Sequence, residues 1–199
     1  MVFAVFALSA LSIVGVIVVL GSGSSDEVDG RDGLPAVPTT NVAAVSTTAA
    51  SAPAGIGAVR ASEVTCSSEL AEHPCHALID GDPTTAWNAP NAGVGAEFSV
   101  EFEGEVRLTG VSFRNLDDDA RLMRNARIRE VEIHLFGSPS VTTAEIASGH
   151  GPYRVRVPPD PTTGITVHVL STYPGEHVGT LEPFDELALQ AVTFTGTTR

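Results

Sequence analysis

From about Val59 onward, apolar and polar positions alternate with period two, the repeat of a strand that buries one face. In residues 97–103, Phe98, Val100 and Phe102 fall on one face, with Glu97, Ser99, Glu101 and Glu103 on the other. Val106, Leu108, Val111 and Phe113 continue the pattern, with Gly110 breaking the alternation where a bulge is expected. Val131, Ile133 and Leu135 alternate with Glu130, Glu132 and His134; Tyr153, Val155 and Val157 with Arg154 and Arg156; Ile165, Val167 and Val169 with Thr166 and His168. A last strand is predicted over Leu187–Phe194. Turn chemistry separates these runs at Asn91-Ala92-Gly93, Glu103-Gly104, Gly137-Ser138-Pro139, Pro158-Pro159-Asp160-Pro161 and Tyr173-Pro174-Gly175. No stretch carries a sustained helical stripe, and Ser68–Leu78 has room for one short helix. Six or more one-faced strands at this spacing predict an all-β sandwich or barrel.

The first part of the chain has a different texture. Val2–Leu20 is apolar apart from Ser9 and Ser12 and carries no charge. As a helix it would span roughly 28 Å, about the hydrocarbon thickness of a bilayer. It exceeds the length of a signal-peptide core and lacks a small-residue cleavage site, which favours a retained anchor over a cleaved signal. Gly21–Gly57, rich in Gly, Ser, Thr, Ala and Pro and free of aromatics, cannot bury enough apolar surface to order itself and reads as a tether. The expected organisation is therefore 1–20 transmembrane anchor or signal segment, 21–57 linker and 58–199 folded domain. The anchor would hold that domain outside the cytoplasmic membrane; cleavage would secrete it.

Charge narrows the partners. The formal net charge is -13, and all 11 basic residues are Arg. So acidic a surface argues against nucleic acid, whose phosphates need a basic face, and against adsorption to anionic lipid. The only two cysteines, Cys66 and Cys75, lie near His73 and His76. Their spacing fits no zinc knuckle. A disulfide closing a short loop is expected in an oxidising compartment, with free thiols as the other state.

Four stretches together carry a family resemblance: Ala77-Leu78-Ile79-Asp80-Gly81-Asp82-Pro83-Thr84-Thr85-Ala86-Trp87; Val111-Ser112-Phe113-Arg114-Asn115 with Arg124-Asn125-Ala126-Arg127-Ile128-Arg129; Tyr173-Pro174-Gly175; and the closing Phe194-Thr195-Gly196. Over roughly Ala61–Gly196 the chain resembles the discoidin, or coagulation factor type C, domains of galactose-binding-like jelly-roll fold. It looks most similar to the actinobacterial NADase-type glycan-binding domain. The resemblance implies a galactose-binding-like jelly-roll β-sandwich with ligand loops at one end. It also implies a structural Ca²⁺ held by the acidic turn, here Asp80, Asp82 and Thr85. The Glu that commonly completes that cage falls on Ala191, so the set is short of a ligand. Without a cation, Asp80 and Asp82 would cap their own turn.

Arg114–Arg129 is the most unusual connection: five arginines, two asparagines and the run Asp117-Asp118-Asp119 between two strong strands. Long loops in compact domains are disproportionately functional. Arg and Asn offer the forked donors and acceptors that paired sugar hydroxyls require. The candidate ligand residues are Asn115, Asp119, Arg121, Asn125 and Arg127, with Tyr173 as a stacking platform. Arg114 and Arg127 abut strands and are also the natural salt-bridge members of the loop. Trp87 follows the acidic turn and is expected in the core, as is Tyr153.

No G-x-S-x-G elbow, phosphate-cradling Gly loop or H-E-x-x-H occurs, so no enzyme is expected. The functional expectation is a non-catalytic extracytoplasmic module that recognises cell-wall or other glycans. The alternative is a docking scaffold for an envelope protein.

Overall fold

The computed structural model describes residues 55–198. The expected anchor and nearly all of the expected linker lie outside these. Among the described residues no helix is long and apolar enough to cross a membrane. Ten strands follow in chain order: β1 Gly57–Val59, β2 Ala61–Cys66, β3 Trp87–Pro90, β4 Glu97–Arg114, β5 Arg127–Leu135, β6 Val141–Glu145, β7 Tyr153–Val155, β8 Pro161–Tyr173, β9 Glu186–Leu189 and β10 Ala191–Thr198. One α-helix, α1, covers Asp119–Arg124 between β4 and β5.

The long strand β4 organises the sandwich. Its first part pairs antiparallel with β2 through Phe98–Phe102 and with β8 through Glu97–Glu101. Its second part pairs with β10 through Val106–Arg114 and with β7 through Val111–Phe113. The register against β8 breaks between Glu101 and Val106. The Glu103-Gly104 pair, predicted as a turn between two strands, is instead an irregularity inside one strand that passes from one layer to the other. Strands β5 and β6 extend the β8 edge, and β1 extends the β10 edge. The predicted bulge is present: Thr195 faces Gly110 while Gly196 faces Leu108, leaving Thr109 unopposed.

The period-two faces meet in the core. Phe98, Val100, Phe113, Ile165, Val167 and Ile133 are all essentially inaccessible. Trp87 is fully buried, as expected, edge-on to Phe98 at 5.8 Å, and its indole N–H donates to the Ser68 carbonyl at 3.0 Å. Tyr153 is half-buried and packs against this cluster.

A further expectation is corrected. Leu187–Phe194 is not one strand: β9 pairs with β3 in a separate two-stranded sheet, and β10 belongs to the large sheet. The break falls at Gln190, a buried amide whose backbone N–H donates to the Arg114 carbonyl. The Ser68–Leu78 segment holds one short helix, as expected, a 3₁₀ turn at Cys75–Leu78. A disulfide between Cys66 and Cys75, with Cα atoms 5.8 Å apart, closes that loop. The Glu69 carboxylate accepts from the Cys75 N–H at 2.6 Å and fixes the same turn.

Candidate functional site

The connection between β4 and β5 builds a helix where none was predicted. Asp118 has extended backbone and its carboxylate accepts from the Arg121 N–H at 2.7 Å, a side-chain N-cap. Ala120, Arg121, Leu122, Met123 and Arg124 are good helix formers. Asp119 lies in the first turn and Arg121 and Arg124 in the last, complementing the helix dipole. Leu122 anchors the helix in a small second apolar cluster with Ala86, Leu116 and Ala188.

Buried polar side chains then clamp α1 in place. Arg127, only 3% exposed, donates through Nη1 to the carbonyls of Leu122, Met123 and Asn125 at 2.9, 3.0 and 3.3 Å. Its Nη2 donates to the Pro174 carbonyl at 3.3 Å and to the Glu176 carboxylate at 2.9 Å. It thus satisfies the orphan carbonyls of the helix end and ties them to the β8–β9 connection. The Asn125 amide donates to the Arg121 carbonyl at 2.8 Å. Arg124 donates to the Glu182 carbonyl at 2.8 Å, and its guanidinium stands 3.8 Å above the Phe184 ring. Gly175 lies so close that a Cβ there would overlap the Arg124 carbonyl oxygen, which requires Gly at this crossing.

Two further segments join the same end. The Asn115 amide donates to the Gly149 carbonyl at 2.6 Å, and its backbone N–H donates to the His150 carbonyl. His150 reaches the Leu116 carbonyl with Nδ1 at 2.6 Å and Asp119 with Nε2 at 2.9 Å. Those two hydrogen bonds, the Leu116 one first, hold its pKa above the ordinary imidazole value. On the other side, Asp117 pairs with Arg114 at 3.1 Å, and the Gln190 amide spans from Asp117 to the Pro83 carbonyl of the acidic turn.

The structure therefore gathers Asn115, Asp119, Arg121, Asn125 and Arg127 around one helical turn, but in different roles. Asn115, Asn125 and Arg127 are buried and tie the loops together. Asp119 and Arg121 lie at the surface, and the Arg121 guanidinium makes no hydrogen bond or ion pair among the described residues. Tyr173 is half-buried opposite Arg127, with the Arg129 guanidinium 5.6 Å from its ring centre. Sequence reasoning missed His150 and Phe184 as members of this end. His150 sits in Ser-Gly-His-Gly-Pro and Phe184 in a Pro- and Gly-rich connection; neither belongs to a periodic run. The exposed surface combines a forked donor, a carboxylate, an imidazole and an aromatic ring, groups suited to hydroxyls on an apolar ring.

The acidic turn closes on itself. Asp80 accepts from the Asp82 N–H at 2.8 Å and from the Thr85 hydroxyl at 2.9 Å. Asp82 accepts from the Thr84 hydroxyl at 2.7 Å and N–H at 2.8 Å, which holds its carboxyl below the usual carboxylate range. Gly81 supplies the positive φ of 76° that the turn needs. Among the described residues no group of three or more His, Cys, Asp or Glu side chains is placed to hold a metal. The Asp80 and Asp82 carboxylates are met by the turn's own N–H and hydroxyl groups.

No family model matches the chain, and no curated protein matches it. Solved structures do. The family 32 CBM of Clostridium perfringens NanJ in complex with galactose aligns at 17% identity and TM-score 0.51, covering 70% of this chain and 98% of that one. CBM32-3 from a family 31 glycoside hydrolase of C. perfringens aligns at 14% identity and TM-score 0.53, covering 71% and 91%. A mutant lectin binding domain of Lectinolysin complexed with Lewis b aligns at 12% identity and TM-score 0.51, covering 70% and 95%. At these identities the likeness shows the fold: a discoidin-like, galactose-binding-like jelly-roll sandwich. The neighbours are carbohydrate-binding modules rather than catalytic domains.

Proposed function

We propose that the protein is a non-catalytic glycan-binding module whose ligand docks on the loop end around α1. One observation carries this reading: a one-turn-and-a-half helix, clamped by Arg127, Asn125 and Asn115, holds Asp119 and an unpaired Arg121 at the surface beside His150. A rigid scaffold under polar groups with free hydrogen-bonding capacity lowers the ordering cost of binding. The neighbours crystallised with galactose and with Lewis b share the fold, which is an argument by analogy. Arg121 donates to paired hydroxyls, Asp119 accepts, and the Phe184 ring, with Tyr173 as a second platform, offers an apolar face. Retention of the chain on a glycan array and on purified wall polysaccharide tests the proposal.

Within this fold we place the chain nearest the actinobacterial NADase-type glycan-binding domains, on the strength of the Arg114-Asn115 and Asn125-Ala126-Arg127 segments. We further propose an extracytoplasmic location, tethered through residues 2–20. The paired Cys66 and Cys75 support that location, because disulfides persist in oxidising compartments. A second reading, docking of an envelope protein, draws on the exposed Met123, Leu181 and Phe184. It predicts a co-purifying protein and no retention on sugar.

A further inference from the structure

We propose that a cleft on the outer face of β5, β6 and β8, beside the loop end, is a separate subsite for a cationic amino sugar. Two opposed irregularities open it. On β5 the register against β8 shifts on both sides of Glu130, which leaves Arg129 without a partner and, on β8, Leu170 likewise. Paired bulges re-aim side chains and bend the sheet, and they recur beside binding sites. The result is a cleft of about 410 Å³ lined by Arg129, Glu130, Glu145 and Ser171.

Its charge pattern points to the ligand. Glu130 and Glu145 are direct cross-strand partners, so two carboxylates stand opposite each other on one face. Such like-charge pairs destabilise a sheet. The single counter-charge is Arg129, whose Nε lies 3.7 Å from Glu145; both side chains are more than half exposed, at 56% and 69%. Glu130 makes no ion pair among the described residues. No described group of carboxylates and imidazoles is arranged to hold a metal, and the guanidinium shares the cleft, so a metal cation is not its natural occupant. An ammonium between Glu130 and Glu145 would supply the missing charge. Ring hydroxyls would meet Ser171 and the free face of Arg129. A uronic or sialic acid would instead bring its carboxylate against two others. That the ligand is a sugar rests on the glycan-binding reading; that it is cationic rests on the cleft alone.

The test is isothermal titration of the full chain, at mildly acidic pH and low salt, with a fully deacetylated glucosamine trimer and with its N-acetylated counterpart. The deacetylated trimer is expected to bind at least about tenfold more tightly, as one charge-assisted hydrogen bond gained implies. Added salt should narrow that gap. Glu130→Gln is expected to lower amino-sugar affinity about tenfold while leaving the melting temperature unchanged or raised, because it removes the like-charge pair and keeps the Arg129–Glu145 contact. Equal binding of the two trimers, or an unaffected Glu130→Gln variant, overturns the proposal. Equal binding of trilysine also overturns it, by making the cleft a peptide site. Neutral-glycan retention is read through Arg121→Ala and amino-sugar affinity through Glu130→Gln, so either reading can fail while the other stands.

Discussion

The imidazole Nε2 of His150 lies 2.9 Å from the carboxylate of Asp119, so the connection between β6 and β7 is fastened to the first turn of α1. The other ring nitrogen faces the Leu116 carbonyl at 2.6 Å. Both partners are acceptors, so both nitrogens donate only when the ring is protonated. The folded state therefore raises the His150 pKa above the ordinary imidazole value of 6.5.

A raised imidazole pKa means that the folded protein binds the proton more tightly than the unfolded chain. The stability it contributes is full below the ordinary value of 6.5 and is lost as pH climbs through the higher folded value. Hydrogen exchange of the α1 amides should accelerate over that window, beyond the intrinsic pH dependence of exchange. His150→Gln should flatten this extra response. An α1 whose protection is the same on both sides of the window would contradict the assignment.

Arg127 is the member of the expected ligand set most deeply committed to structure. Arg127→Met would strand four carbonyls and the Glu176 carboxylate that it now satisfies. The expected loss is about 3 kcal/mol in urea unfolding, since breaking a buried charge network leaves its partners unpaired. Arg127→Lys should recover little of that, because one ammonium cannot reproduce a planar fork shared among five acceptors. A loss within about 0.5 kcal/mol, the range of ordinary surface substitutions, would mean the clamp is not needed.

The strand pattern was legible because the sheet faces are strongly one-sided: Phe98, Val100 and Phe102 could only be read one way, and Gly110 marked the neighbourhood of a real bulge. The helix was not read because it buries a single large apolar residue, Leu122, too few for a periodic stripe. Its signal was present in other terms: an Asp at the N-cap followed by Asp, Ala, Arg, Leu, Met and Arg. The split between β9 and β10 was hidden because Leu187, Leu189, Val192 and Phe194 are all buried, though in different sheets, so hydrophobicity runs across the break. For the loop end, composition located the right segment but could not tell which polar groups point inward. Asn115 and Asn125 are as polar as Arg121 in sequence, and only the packing of the neighbouring connections buries them.

The acidic turn yields a prediction about cations. Asp80 and Asp82 accept from Thr85, Thr84 and the turn's own amides, so the turn is expected to hold without a metal. Thermal melting should be the same with excess Ca²⁺ and with chelator. Binding of Ca²⁺ with a dissociation constant far below its concentration would stabilise the fold by several kcal/mol. A rise in melting temperature that Asp80→Asn abolishes would therefore reinstate the cation.

The central claim is that the surface of α1 binds sugar, and Arg121→Ala tests it most directly. The guanidinium has no partner among the described residues, so its removal should leave stability within about 0.5 kcal/mol. The measurement is retention of the wild-type chain and of this variant on a neutral-glycan array and on purified wall polysaccharide. Specific wild-type retention, weakened at least about tenfold by Arg121→Ala at unchanged melting temperature, is the predicted result. Equal retention of wild type and variant, or no retention of the wild type on any sugar, would contradict it.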